Sequence, residues 1–160
     1  MPAEEKDIPL IFAFVRKLAE YERLSHKVTV NEEGLRTALF GPQRFAEVAF
    51  AYSGNEPAGF AVFFHTFSTF SGLAGIYLED VFVEPAYRKR GIGTALFVYL
   101  AQIAKQRGCG RLSWAVLDWN QPAIDFYKRL GAIPLAQWNT YELSGAPLDH
   151  LSRKQFQSVD

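Results

Sequence analysis

The residues best suited to chemistry form a basic turn with two glycines, Arg88-Lys89-Arg90-Gly91-Ile92-Gly93. An apolar run at 76–83 precedes the turn, and apolar residues at helical spacing follow it. The first amides of a helix lack partners, the helix dipole favours an anion, and glycine lets a ligand approach the backbone. The turn therefore predicts a phosphate site, although a solvated loop would show the same pattern. It is neither a Walker loop nor a GxGxxG turn.

Two adjacent carboxylates, Glu79 and Asp80, interrupt the apolar run at 76–83. They would be costly to bury unpaired, and strand alternation places them on opposite faces unless a bulge intervenes. A salt bridge or a capped sheet edge would explain them without any catalytic role. A carboxylate could instead bind an ammonium group and relay its proton through water. We assign that role to Glu79, with Asp80 in support.

A third candidate is Tyr127, which lies on an apolar helical stripe with Ala123, Phe126 and Leu130. Periodicity alone favours core packing for this side chain. The three histidines are scattered, and Cys109 is the only cysteine, so we expect no metal site and no disulfide.

Composition indicates one soluble domain over residues 1–160, with 49% apolar residues. The 17 basic and 17 acidic side chains balance, which argues against a broad nucleic-acid surface. The apolar runs are too short to span a membrane, and the charged N-terminus is unlike a signal peptide. With a lone cysteine, a cytoplasmic location fits best.

The order of predicted elements indicates an α/β fold, with a mixed sheet and helices on both faces. The strands at 76–83 and 111–117 should be parallel neighbours, joined by a right-handed crossover through the helix at 91–107. Ligands of such sheets bind at the carboxyl ends of strands, where the basic turn lies. The other predicted elements are helices at 8–19, 31–40, 120–130 and 147–155, strands at 45–52, 58–67 and 138–143, and a loop at 68–75.

The pattern Arg88-x-x-Gly91-x-Gly93, between its strand and its helix, resembles the acyl-CoA signature of the GNAT N-acetyltransferases. The segment 118–132 resembles the second motif of that family. The segments 18–22, 77–80 and 117–120 are similar to the diamine (spermidine/spermine) and thialysine acetyltransferases. The resemblance implies a GNAT-like fold, with a mostly antiparallel sheet and a splayed parallel pair. It also implies acetyl-CoA as the donor, a small amine as the acceptor and a homodimer.

The resemblance also assigns roles to individual residues. Pyrophosphate would bind the backbone from Lys89 to Thr94, and the pantetheine arm would pair with the strand like an additional strand. Tyr127 would protonate the leaving thiolate, and amides near Val81 would stabilise the oxyanion. The implied cofactor-binding residues are Val81, Phe82, Val83, Arg88, Lys89, Arg90, Gly91, Ile92, Gly93, Thr94, Asn120 and Tyr127. The implied acceptor-binding residues are Tyr21, Glu22, Glu79 and Asp80.

Two departures from the family pattern shape the expectations. The chain begins after the position of the family's first strand, so the sheet should lack an edge strand or borrow one. Ser68-Thr69-Phe70 and Trp138-Asn139-Thr140 stand where polyamine enzymes carry acidic residues, which favours a small mono- or diamine such as a lysine analogue over spermine. A non-catalytic acyl-CoA-binding module, an enzyme acting on a protein or another amine, and a nucleotide-phosphate hydrolase are the alternatives.

Overall fold

The computed structural model describes residues 1–154, in two compact units divided after Ala115. The first unit contains helices α1 (Ile8–Tyr21), α2 (Glu32–Phe40) and α3 (Ile92–Gln106), and strands β1 (Glu47–Ser53), β2 (Glu56–Ser68), β3 (Leu73–Val83) and β4 (Leu112–Trp114). The second contains helices α4 (Gln121–Arg129) and α5 (Gly145–Ser152). No helix among the described residues is long and apolar enough to cross a membrane.

The four strands form one sheet in the order β1-β2-β3-β4. The first two pairings are antiparallel, and β3 pairs with β4 in parallel. The predicted mixed sheet and its parallel pair are confirmed. The predicted loop at 68–75 was too long, because Ser68 still pairs with Leu73 across a tight turn. The predicted strand at 111–117 was also too long, since only Leu112–Trp114 pair with β3.

The outer edge of β1 is paired by the first residues of the chain. The Met1 amine donates to the Phe50 carbonyl at 2.7 Å, and the Phe50 amide donates to the Met1 carbonyl at 2.8 Å. The Ala3 amide donates to the Val48 carbonyl at 2.8 Å. Residues 1–3 therefore occupy the edge that was expected to lack a strand.

One face of the sheet packs against α1, because that helix presents an apolar stripe at i, i+3 and i+7 spacing. Phe14 lies at the centre of this core. Its ring stacks on Phe60 at 5.1 Å and contacts Phe50 at 5.9 Å and Phe82 at 6.1 Å. The buried members are Ile8, Ile11, Phe14, Leu18, Leu39, Val48, Phe50, Phe60 and Phe82.

The opposite face packs against α3, so helices cover both faces as predicted. Gly59 of β2 makes the close approach possible: a Cβ there would lie 2.7 Å from the Phe82 carbonyl oxygen and 3.4 Å from the Ile92 side chain. At the other end of α3, Arg107 donates to the Glu47 carboxylate of β1 at 2.8 Å. The close approach at Gly59 places the first turn of α3 beside the end of β3.

In the second unit, the strand predicted at 138–143 is wrong. The segment contains the strand-forming residues Trp138, Thr140 and Tyr141, but a strand forms only when its backbone pairs with a neighbour. Within residues 116–154 it has no pairing partner, and Trp138 and Tyr141 are exposed. The terminal helix begins at Gly145 and ends at Ser152, and Gln155, its predicted end, lies outside the described residues.

Candidate active site

The parallel pair opens after Leu78, because β4 covers only Ile76–Leu78 of β3. Beyond Leu78, β3 continues for five residues to Val83 with β2 on one side only, within the described part of the chain. An unpaired strand edge presents a row of N–H and C=O groups that can bind an extended ligand. The splayed parallel pair expected from the resemblance is therefore present.

Backbone parity decides which residues of β3 face this open edge. The Glu84 amide donates to the Ala58 carbonyl of β2, so residues 84 and 82 direct their N–H and C=O groups toward β2. The residues between them, Val83 and Val81, therefore direct theirs to the open edge. Phe82 was predicted to contact the donor, but its backbone faces β2 and its ring is buried in the core.

The basic turn leads from the end of β3 into α3 through two left-handed residues. Lys89 has φ +60° and Gly91 has φ +83°. Among the described side chains, none caps the N-terminus of α3, and the first helical bond runs from the Ala95 amide to the Gly91 carbonyl. The amides of Ile92, Gly93 and Thr94 are thus the unpartnered amides of a helix start. Successive amides in such a turn form a concave anion site.

A β-bulge lies at Glu79, where the open edge of β3 begins, next to Asp80. Val62 of β2 pairs with Asp80 and Phe63 pairs with Leu78, so Glu79 is the extra residue without a partner in β2. A bulge re-aims a side chain and disturbs strict alternation. The bulge that the sequence left open as a possibility is therefore real, and the argument that Glu79 and Asp80 face opposite sides no longer holds.

Asp80 is the carboxyl whose environment is most unusual. Burial, and then the charges of Glu79 and Glu22, raise the pKa of the Asp80 carboxyl to about 6. Burial also raises the pKa of Glu22, at the end of α1. Glu79 itself is exposed. Three of the four predicted acceptor residues therefore form one acidic cluster, able to attract an ammonium group and to accept a proton near neutral pH.

The Arg88 side chain contacts the end of β3 and the end of α1. Its Nε–H donates to the Val83 carbonyl at 3.0 Å, and its guanidinium carbon lies 4.7 Å from the centre of the Tyr21 ring. Tyr21, the fourth predicted acceptor residue, also contacts the Phe82 ring at 6.4 Å. The end of α1 and the end of β3 are thus joined by a stacked cation.

The second unit carries the two remaining predicted residues. Asn120 precedes α4 and is only 7% exposed, and its carbonyl accepts from the amides of Ala123 and Ile124. Tyr127 lies on α4, with its ring centre 5.6 Å from that of Phe126. Pro122 in the first turn suits a helix start, as predicted.

Residues 15–132 match the sequence profile of the Acetyltransferase (GNAT) family, which spans both the open edge and the basic turn. The chain belongs to the GNAT acetyltransferase family. It is 38% identical to the thialysine N-epsilon-acetyltransferase of Sus scrofa, with 95% of each chain covered. It is 27% identical to an L-ornithine N5-acetyltransferase of Arabidopsis thaliana, covering 94% of this chain and 86% of that one.

Solved structures support the same fold. An integron cassette protein from the mobile metagenome of V. cholerae matches with a TM-score of 0.80 at 25% identity, over 96% of both chains. An aminoglycoside acetyltransferase from a soil metagenome matches with a TM-score of 0.75 at 19% identity, over 90% of this chain and 95% of that one. The predicted fold class and the predicted enzyme class are confirmed.

The residues fit the acetyl-CoA that GNAT enzymes use. The unpartnered amides of α3 suit a pyrophosphate, and the open edge at Val81 and Val83 suits the amide groups of a pantetheine arm. An open cavity of about 740 Å³ lies elsewhere, along the outer face of α1, and is lined by Phe12, Ala13, Arg16, Lys17, Glu20, Ser25, Val28 and Val30. None of the predicted site residues lines it. Among residues 1–154, no group of three His, Cys, Asp or Glu side chains is arranged to hold a metal.

Sequence reasoning missed one residue that shapes the site. Gly59 has no side chain to carry chemistry, yet it allows α3 to approach β2 and so positions the helix start. The available signal was a glycine inside an apolar strand, which often marks a close approach of another segment.

Proposed function

We propose that this GNAT enzyme transfers the acetyl group of acetyl-CoA to a primary amine of a small molecule, by direct attack within a ternary complex. A lysine analogue or a diamine is the preferred acceptor. The observation that carries the proposal is the open edge of β3, which runs from an acidic cluster at one end to the unpartnered amides of α3 at the other. The names of the thialysine and ornithine relatives support an amine of this kind.

The donor would lie along the open edge. Val81 and Val83 would pair with the amide groups of the pantetheine arm, and the amides from Lys89 to Thr94 would hold the pyrophosphate. The side chains of Lys89 and Arg90 are exposed and could reach the outer phosphates. Residues 1–160 would act as one catalytic domain, and Asn120 would be one of its donor-binding residues.

The acceptor amine would arrive as a cation and must lose a proton before it attacks. The cluster of Glu22, Glu79 and Asp80 would attract the cation, because opposite charge favours its binding. Glu79 would relay the proton through water, and the raised pKa of Asp80 lets this neighbouring carboxyl hold a proton near neutral pH. Tyr21 would line the same site.

Two further groups would act on the acyl transfer itself. Backbone amides near Val81, at the open edge, would stabilise the oxyanion of the tetrahedral intermediate. A phenol of pKa about 10 can protonate a thiolate whose conjugate acid has a pKa near 8.5. We propose that Tyr127 does so, as the family resemblance implies.

The proposal is tested by following thiol release from acetyl-CoA with a panel of lysine analogues, diamines, polyamines and a lysine-bearing peptide. We expect amine-dependent release that is fastest with the small mono- and diamines. Glu79→Gln and Tyr127→Phe should each slow turnover by about 100-fold or more while CoA still binds. Binding of CoA without turnover of any amine would instead identify a non-catalytic acyl-CoA-binding module, and turnover of the peptide alone would identify a protein acetyltransferase.

We also propose a homodimer, as the family resemblance implies. Light scattering coupled to size-exclusion chromatography tests it directly. A mass of one chain at working concentrations would contradict it.

A further inference from the structure

Arg88 occupies one of the backbone groups that the open edge would offer to the donor. Its Nε–H donates to the Val83 carbonyl at 3.0 Å. The guanidinium carbon also lies 4.7 Å from the Tyr21 ring centre and 5.6 Å from the Phe82 ring centre. When a guanidinium stacks on an aromatic ring, the ring contacts the flat face of the guanidinium. Its N–H groups point outward in the guanidinium plane and can still donate hydrogen bonds.

We propose that Arg88 caps the open edge of β3 and must leave the Val83 carbonyl before the pantetheine arm can pair there. This inference rests on the proposed donor position. The backbone parity of β3 makes Val83 one of the two residues that face the open edge. A carbonyl can accept two hydrogen bonds, but the Arg88 side chain lies against the outward side of this one, in the space that the arm would need. Arg88 thus affects donor binding indirectly, by controlling access to the Val83 carbonyl, and is a positioning residue.

The stack on Tyr21 and Phe82 helps to hold the guanidinium in its capping position at Val83. Tyr21 lies at the end of α1, beside Glu22 of the acidic cluster. In this position the guanidinium lies on the α1 side of the turn. We therefore infer for the Arg88 side chain a role other than the pyrophosphate contact that the resemblance implies.

A cap that competes with the arm lowers the apparent affinity for any ligand that carries pantetheine. The apparent dissociation constant is the intrinsic one divided by the fraction of molecules with a free edge. One hydrogen bond of ordinary net strength keeps the edge closed in most molecules and weakens binding about five-fold. A ligand without pantetheine does not meet this competition.

The test is calorimetric titration of the full chain with CoA and, separately, with adenosine 3′,5′-bisphosphate, which lacks the pantetheine arm. Arg88→Met keeps the length of the side chain and removes the donor. We expect this variant to bind CoA about five-fold more tightly and adenosine bisphosphate as the wild type does. Arg90→Ala removes a cation from the same turn, and it should weaken binding of both ligands alike.

A second pair of variants tests the role of the stack. Tyr21→Leu removes the ring under the guanidinium and should tighten CoA binding in the same direction, whereas Tyr21→Phe keeps the ring and should leave it unchanged. Equal weakening of CoA and adenosine bisphosphate by Arg88→Met would make Arg88 a phosphate ligand and overturn the inference. Unchanged CoA affinity would overturn it too. Failure of the wild type to bind CoA would overturn the proposed donor site itself.

Discussion

Replacing Asp80 with asparagine should stabilise the protein at neutral pH and leave its stability in acid almost unchanged. The pKa of the folded Asp80 carboxyl is about 6, raised from 3.8 by burial and then by Glu79 and Glu22. Between these two values the unfolded chain has released its proton and the folded chain has not. The stability that this carboxyl contributes is therefore complete below about pH 4 and is lost as the pH rises through about 6.

The size of the effect follows from the same two values. A pKa change of one corresponds to about 1.4 kcal/mol, so the loss from Asp80 approaches about 3 kcal/mol above pH 6. The side chain keeps some contact with solvent, which reduces that figure. Asparagine cannot ionise and has nearly the same shape. We therefore expect Asp80→Asn to raise the free energy of unfolding by about 1–3 kcal/mol near neutral pH.

Urea unfolding of the wild type and of Asp80→Asn at about pH 3.5 and about pH 7.5 measures this difference. Glu79→Gln is the matched control, because Glu79 is exposed and acts on Asp80 only through its charge. Its gain should be smaller, below about 1 kcal/mol. A gain from Asp80→Asn that is equal at both pH values, or a loss of stability near neutral pH, would refute the reasoning. A gain in stability together with weaker amine binding would show that the unfavourable burial of this carboxyl is retained because it helps to bind the amine.

Three further predictions concern the elements that position the site. Lys89 adopts φ +60°, so Lys89→Gly should raise the free energy of unfolding in urea by about 1 kcal/mol. Gly91 adopts φ +83°, so Gly91→Ala should lower it by a similar amount. A change of the same sign in both variants would contradict the left-handed turn. A Cβ at Gly59 would lie 2.7 Å from the Phe82 carbonyl oxygen, so Gly59→Ala should lower the free energy of unfolding by about 1–3 kcal/mol and also weaken CoA binding. An unchanged CoA affinity, measured by calorimetry, would contradict the role of α3 in binding the donor. Phe14→Ala should lower the free energy of unfolding by about 3–5 kcal/mol, because Phe14 is buried among three other rings; a loss below about 1 kcal/mol would contradict its central place.

The sequence predicts best where local chemistry and periodicity agree. The stripe of α1 and the glycine-bearing turn before α3 are visible as residue types at fixed spacing, and the structure places both as predicted. The open edge at Val81 and Val83 could be anticipated from the resemblance. Which of its residues face outward could not, because the parity depends on the register between β2 and β3.

The features that the sequence could not place share a cause, since each depends on what a segment meets in three dimensions. The segment 138–143 contains strand-forming residues, yet residues 116–154 offer it no partner backbone. The bulge at Glu79 arises from a register shift that no residue type announces. The stacking of Arg88 on Tyr21 joins residues that are far apart in the chain, so a local motif cannot reveal it.

The most direct test of the central claim, that the donor pairs with the open edge of β3, is amide hydrogen exchange read residue by residue with and without CoA. We expect CoA to slow exchange of the Val81 and Val83 amides by about ten-fold or more. The Phe82 amide faces β2 and should change little, which makes it an internal control. Slowed exchange at Val81 and Val83 with an unchanged Phe82 is the predicted result. Tight CoA binding that leaves the Val81 and Val83 amides unprotected would contradict the claim.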